Sequence, residues 1–189
     1  MTPDRRRNLH DLLVFFLLIG VGVAGRWGQP EWCFTPTAAV AIFAGWYFSR
    51  TAIAALVPVA VLAVSDLLLP AYDSIPVLIV TYAVMTLPIL FGRLQRQSQS
   101  RGRSFVRWAF FGVVPATLFW LTTNFAVWAF KSDYEKSLAG LLHCYAAAIP
   151  FYRWMLAGDL FYLGVLLACW MIAASPMLNR ERRVPLLTR

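Results

Sequence analysis

Apolar stretches close to the length of a bilayer crossing recur from one end of this 189-residue chain to the other. That recurrence limits the fold more than any motif does. In hydrocarbon the backbone must satisfy its own hydrogen bonds, so such runs become helices. Six can be traced, at about 9–25, 35–48, 52–69, 76–91, 108–130 and 154–174. The second is short for a full crossing, and the fifth is the clearest by length. Thr35 is expected to cap the second helix with Pro36 in its first turn. Pro58 is expected to kink the third. A short Ala/Leu-rich helix, about 137–148, is expected to lie at the interface.

The expected fold is therefore all-α: one polytopic bundle of six transmembrane helices over residues 1–189, with both termini in the cytoplasm. Basic tails, 1–8 and 175–189, and a basic loop, 93–107, would lie on the inner face. Val23, Ala24 and Gly25 follow the first apolar run as small residues would at a signal-peptide cleavage site. The several spans that come after favour retention of that run as an anchor instead.

Only 14% of the residues are charged and 60% are hydrophobic, too little charge for a surface facing water. The net charge of +8 would suggest nucleic acid in a soluble protein, but its placement points to topology. With the amino terminus inside, the inner face receives Arg5, Arg6, Arg7, Arg50, Arg93, Arg96, Arg101, Arg103, Arg107, Arg180, Arg182, Arg183 and Arg189. Arg26, Lys131, Lys136 and Arg153 remain outside. That division, 13 of 17 basic residues on one side, is strong enough to set orientation. Attraction to anionic lipid headgroups would follow from the same charge. Trp27, Trp32, Trp128 and Trp154 fall at expected outer ends, and Trp46, Trp108 and Trp170 near inner ones, as interfacial belts do. Trp120 falls within a span.

Polar residues inside the spans carry the functional signal. Asp66, Thr81, Asn124 and Asp159 lie on four different segments, all about 5–10 Å below the outer boundary at ~1.5 Å rise per residue. Carboxylates at such depth face a partner, a wet cavity or the nearby interface. Two of them with Asn124 in one layer favour a cavity that opens outward. Thr117, Trp120, Asn124 and Trp128 share one helical face. Their indoles would suit a flat heterocycle, with the amide orienting it; ordinary helix packing explains the same stripe equally well. Tyr152, Met155, Asp159 and Tyr162 share a face of the sixth helix. Trp27, Gln29, Glu31 and Trp32 would stand above the layer as a lid. Arg26 could pair with an acid of the protein or of a ligand. Thr35 and the first turn of the second helix offer backbone donors nearby. Gly20 and Ala24 form a small-xxx-small pair suited to contact with another helix.

Three cysteines and two histidines give no metal-ligand spacing, and no cofactor is expected. Cys33 and Cys144 would both lie outside, as a disulfide or as two thiols.

Several segments carry a resemblance: Cys33-Phe34-Thr35-Pro36, Ser65-Asp66, the run from Thr123 to Trp128, Ile149-Pro150-Phe151 and Gly158-Asp159. From about 33 to 169 the chain resembles an uncharacterised bacterial membrane family related to the S components of energy-coupling factor (ECF) vitamin transporters. The resemblance implies a multi-pass protein of the bacterial inner membrane that captures a vitamin or related micronutrient outside. Its partners would be a membrane T component and two cytoplasmic ATPases. The substrate site would then draw on Asp66, Thr81, Trp120, Asn124, Trp128, Asp159, Tyr162, Trp32 and Thr35. S components usually dock through an Ala-xxx-Ala pair on the first helix; here Gly20 and Ala24 lie nearer the outer half. A non-transporting scaffold and a small secondary transporter are the competing readings. Asp66 and Asp159 lack any flanking catalytic motif, so no enzyme is expected. No Walker-type phosphate loop is present, and the chain would not hydrolyse ATP through one.

Overall fold

The structure, a computed structural model, describes residues 3–97 and 104–183. Among them it consists of helices and connecting turns: α1 (Pro3–Trp27), α2 (Thr37–Tyr47), α3 (Thr51–Ser65), α4 (Ile75–Thr86), α5 (Pro88–Gln97), α6 (Ser104–Phe130), α7 (Leu138–Ala147) and α8 (Ile149–Arg183). Arg101, Arg103 and Arg189, assigned above to the inner face, lie outside the described residues.

Four stretches are long and apolar enough to cross a membrane: Arg5–Trp27, Ile75–Gln97, Val106–Phe130 and Ile149–Ala173. Their outer surfaces are apolar, with Leu13, Phe16 and Leu17 of α1 and Phe110 of α6 all more than half exposed. A water-facing surface would not carry so many large apolar side chains in continuous stripes, whereas lipid accommodates them. The described residues thus form a helical bundle of the multi-pass membrane type. α2 and α3 are shorter, 11 and 15 residues. At ~1.5 Å per residue they reach about 17 and 23 Å, against about 30 Å of hydrocarbon.

α2 is the centre of the bundle. Every residue from Thr37 to Gly45 is buried, as befits a helix with no polar face. Its small residues let neighbours approach closely, most of all α5. A Cβ on Gly45 would collide with the Ile89 backbone, and one on Gly92 with the Ile42 and Trp46 backbones. Each glycine therefore makes room for the other helix's main chain. Val40, Ala41, Phe43 and Ala44 of α2 form a core with Leu18 of α1, Val57 and Val61 of α3 and Ile89 of α5. Ala39 and Ile42 meet Leu163 of α8 on another side.

Proline sets several boundaries differently from the sequence expectation. The expected fourth helix, 76–91, is two helices broken at Leu87 and Pro88, because Pro88 lacks an N–H and its ring crowds the preceding turn. Short three-residue bonds close the break, Leu87 N–H to Val84 O (3.3 Å) and Leu90 N–H to Leu87 O (2.9 Å). Pro36, not Thr35, occupies the α2 N-cap position, and no side chain caps that end. α3 stops at Ser65 rather than 69, so Asp66 is its C-cap. α8 begins at Ile149 rather than 154, with Pro150 in its first turn where a missing N–H is harmless. α7 matches its expected span: Ser137 caps it, accepting from Gly140 N–H at 3.1 Å.

The two ends of the bundle differ. At one end, Tyr47 donates to Asp11 (2.9 Å) and contacts His10 (2.9 Å), while Arg96 donates to the Tyr47 carbonyl (3.0 Å). Trp46 stands edge-on to Trp108 and Trp170 there, at 6.0 and 5.3 Å. At the other end α1, α3 and α6 finish and α4 and α8 begin, and a cavity opens among them.

Candidate functional site

The cavity is assembled from helix ends. Trp27 donates its indole N–H to the Ser65 carbonyl (3.0 Å), pinning the end of α1 to the end of α3. That contact sets Arg26 beside Asp66, Nη2 to Oδ1 at 2.9 Å. Tyr82 of α4 donates to the other carboxylate oxygen at 2.9 Å. Both Asp66 oxygens are thus engaged, and the two charged side chains are only 13% and 17% exposed. Charge-assisted bonds of this kind are the strong ones, and here they tie three segments together.

A second wall comes from the turn between α1 and α2. Cys33 takes a left-handed backbone conformation, φ 74°, which is uncommon outside glycine. Its N–H donates to Gln29 Oε1 (2.9 Å), and Phe34 N–H donates to the Glu31 carbonyl (3.0 Å). The turn lies directly on α8: a Cβ at Gly158 would be 2.9 Å from Thr35 N. Thr35 and Thr37 hydroxyls contact each other at 3.2 Å.

α6 and α8 complete the enclosure. Trp120 sits against Tyr145 and Tyr152, ring centroids 5.0 and 5.5 Å away. Asn124 donates back to the Trp120 carbonyl (2.7 Å), and Tyr152 shares a hydrogen bond with Thr117 (3.0 Å). The enclosed space is about 340 Å³. Its walls are mainly apolar and aromatic, including Leu62, Met85, Phe119, Phe151 and Met155. That is the usual make-up of a small-molecule pocket, with a few polar groups to orient the occupant. Two of those polar groups stand out. Arg26 Nη1 and Trp120 Nε1 are buried and make no hydrogen bond.

Burial pushes the Cys33 thiol up to about 11, against the opposing influence of Arg26. Tyr72, in the turn between α3 and α4, is likewise raised, first by burial and then by Asp66. Both groups are neutral at physiological pH. Cys33, Cys144 and Cys169 are all free thiols, so Cys33 and Cys144 do not pair. Among the described residues no group of three or more His, Cys, Asp or Glu could hold a metal ion.

Of the residues singled out from sequence, Trp32, Thr35, Asp66, Thr81, Trp120 and Asn124 line this one cavity. Trp128, Asp159 and Tyr162 do not. Trp128 turns to the α6–α7 connection, donating to the Glu135 carbonyl at 2.9 Å with Lys136 over its ring. Tyr162 packs on Phe34 at 5.6 Å. Asp159 is 1% exposed, and its Oδ2 has no hydrogen-bond partner. At its level α8 is covered by the Phe34–Thr35 backbone seated on Gly158. Gly20 and Ala24 are exposed on α1; the glycines packed within the chain are Gly22, against Val61, and Gly25, against Pro36. Sequence reasoning missed Tyr72, Tyr82 and Thr123. Tyr82 and Thr123 adjoin Thr81 and Asn124, a signal that was available; Tyr72 carried none.

Residues 6–181 match the family described as Family of unknown function (DUF6580), and the chain belongs to that family. No curated protein and no solved structure matches the chain.

Proposed function

We propose that this family member is a substrate-binding membrane subunit, similar to the S components of ECF transporters, that captures a vitamin or related micronutrient. The observation that supports this reading is the cavity of about 340 Å³ at one end of the bundle, where six residues chosen from sequence converge. A scaffold needs packing between helices, not an enclosed space with unsatisfied donors.

In this proposal the protein lies in the bacterial inner membrane with both termini in the cytoplasm. The chain crosses six times, α4 and α5 forming one passage and the short α2 and α3 one each. The cavity end, which holds Arg26, then faces outward, and the end with Arg50, Arg93 and Arg96 faces the cytoplasm. The chain binds but neither catalyses nor hydrolyses ATP; a T component and two ATPases supply the work. Gly20 and Ala24, exposed on α1 with open space around Gly20, offer small residues for contact with that partner.

Reconstitution tests the assignment. Alone in liposomes the protein should bind substrate without accumulating it, and uptake should require the energising module and ATP. Accumulation by the lone protein on an ion gradient would make it a secondary transporter. A cavity that takes no small molecule would leave the scaffold reading.

A further inference from the structure

The hydrogen-bonding groups left free in the cavity are unbalanced. Arg26 Nη1 and Trp120 Nε1, both wall residues, are buried donors without acceptors. The strongest acceptor of the walls, Asp66, has both oxygens occupied, by Arg26 and Tyr82 at 2.9 Å each. Gln29 Oε1 already accepts from Cys33 N–H. An occupant therefore meets two donors with no partner at all, while Asp66 and Gln29 already accept and the wall hydroxyls of Thr35, Tyr72 and Thr81 can serve either way.

A buried unmade donor is unfavourable, more so when charged, and a ligand that completes it recovers that difference as affinity. A ligand donor group placed against Arg26 Nη1 and Trp120 Nε1 would face a guanidinium and an indole N–H and find no acceptor in either. The remaining walls are flat or flexible and apolar: Phe119, Trp120 and Phe151 among the rings, Met85 and Met155 as thioethers. Such walls suit a planar apolar body.

We propose that the cavity selects small aromatic or heteroaromatic molecules whose polar edge consists of acceptor oxygens, a carboxylate or ring carbonyl, received by Arg26 and Trp120. Resting on the ligand-capture reading above, the inference adds the chemical class of the ligand. Arg26 keeps Nη2 on Asp66 while Nη1 takes the ligand oxygen. Trp120 supplies the second donor from Nε1 in the plane of its ring, while Phe119, Phe151, Met85 and Met155 receive the planar body.

Three probes of nearly one shape test this on the purified full chain in detergent: 2-naphthoate, 2-naphthylmethanol and 2-naphthylmethylammonium. Binding is read by calorimetric titration, with thermal unfolding of the protein as a control for folding. Naphthoate should bind at least tenfold more tightly than the ammonium probe, with the alcohol between them. Trp120→Phe keeps the ring and removes the N–H, so it should weaken naphthoate several-fold and leave the alcohol less affected. Arg26→Lys preserves the ion pair with Asp66 and should narrow the gap between naphthoate and the ammonium probe. Equal affinity for all three probes, or a preference for the ammonium, overturns the acceptor-edge assignment while leaving ligand capture standing. No binding of any probe at millimolar concentration removes both.

Discussion

Removing the Asp66 carboxylate should destabilise the bundle more than any other single truncation at the cavity. Asp66→Ala leaves the Arg26 guanidinium, 13% exposed, without its counter-charge, and orphans the Tyr82 hydroxyl. Stripping one partner from a buried ion pair costs about 3–5 kcal/mol. The orphaned hydroxyl adds ~1–3 kcal/mol when water cannot reach it. Arg26 and Tyr82 are each only partly buried, which lowers the sum, and about 3 kcal/mol is expected. Against a total stability of roughly 5–15 kcal/mol this is a large fraction. The double variant Arg26→Met/Asp66→Leu removes both charges and should recover to within about 1 kcal/mol of the parent, because a well-packed apolar pair replaces a buried ionic one at little net cost. Equilibrium unfolding in mixed micelles, followed by tryptophan fluorescence, gives both numbers and the coupling between the sites. If Asp66→Ala shifts stability by less than about 1 kcal/mol, or the double variant is worse than the single, the pair is not the strut described above.

Gly92→Ala places a methyl against the Ile42 and Trp46 backbones and should destabilise by about 1–3 kcal/mol through overpacking. Gly20→Ala meets nothing within 4 Å and should leave thermal unfolding in detergent unchanged or slightly raised; equal effects would refute the α2–α5 contact. Reporter fusions after Gln97 and at the carboxyl terminus should read cytoplasmic, and those after Asp73 and Asp133 external; an external reading at Gln97 overturns the six-passage topology. The Cys33 thiol, pushed up to about 11, is protonated at neutral pH, so its alkylation should be slow at pH 7.5 and accelerate about tenfold per pH unit below that value. Mass spectrometry of iodoacetamide-treated protein measures this, and rapid labelling at pH 7.5 would contradict the burial. Asn124→Ala should weaken naphthoate binding with little loss of folding, whereas Asp159→Asn, off the cavity wall, should leave affinity unchanged; the reverse pattern would move the site onto α8.

Hydropathy is a local property, and what depends on it was legible in the chain. The long apolar runs became α1, α6 and most of α8, whereas the cap expected from Thr35 did not form because Pro36 holds the α2 N-cap position. That Asp66, Thr81 and Asn124 meet at one cavity followed from counting residues along each run, although α3 ends at Ser65 and leaves Asp66 at the helix end rather than within it. Rotation about the helix axis is not fixed that way in an apolar environment. Lipid and protein interior reward the same side chains, so the sequence carries no amphipathic stripe to say which face turns inward. The placement of Asp159, Tyr162 and Trp128 off the cavity, and of Tyr152 and Met155 on it, came only from how α6 and α8 pack. The same holds for α2. A segment apolar on every side could have been an outer span, and only the backbone contact at Gly45 and Gly92 made it the centre. Arg26 could have met a ligand or an acid of the chain. The Trp27–Ser65 bond decided between them by bringing two helix ends together, a contact across 38 residues that no local pattern encodes.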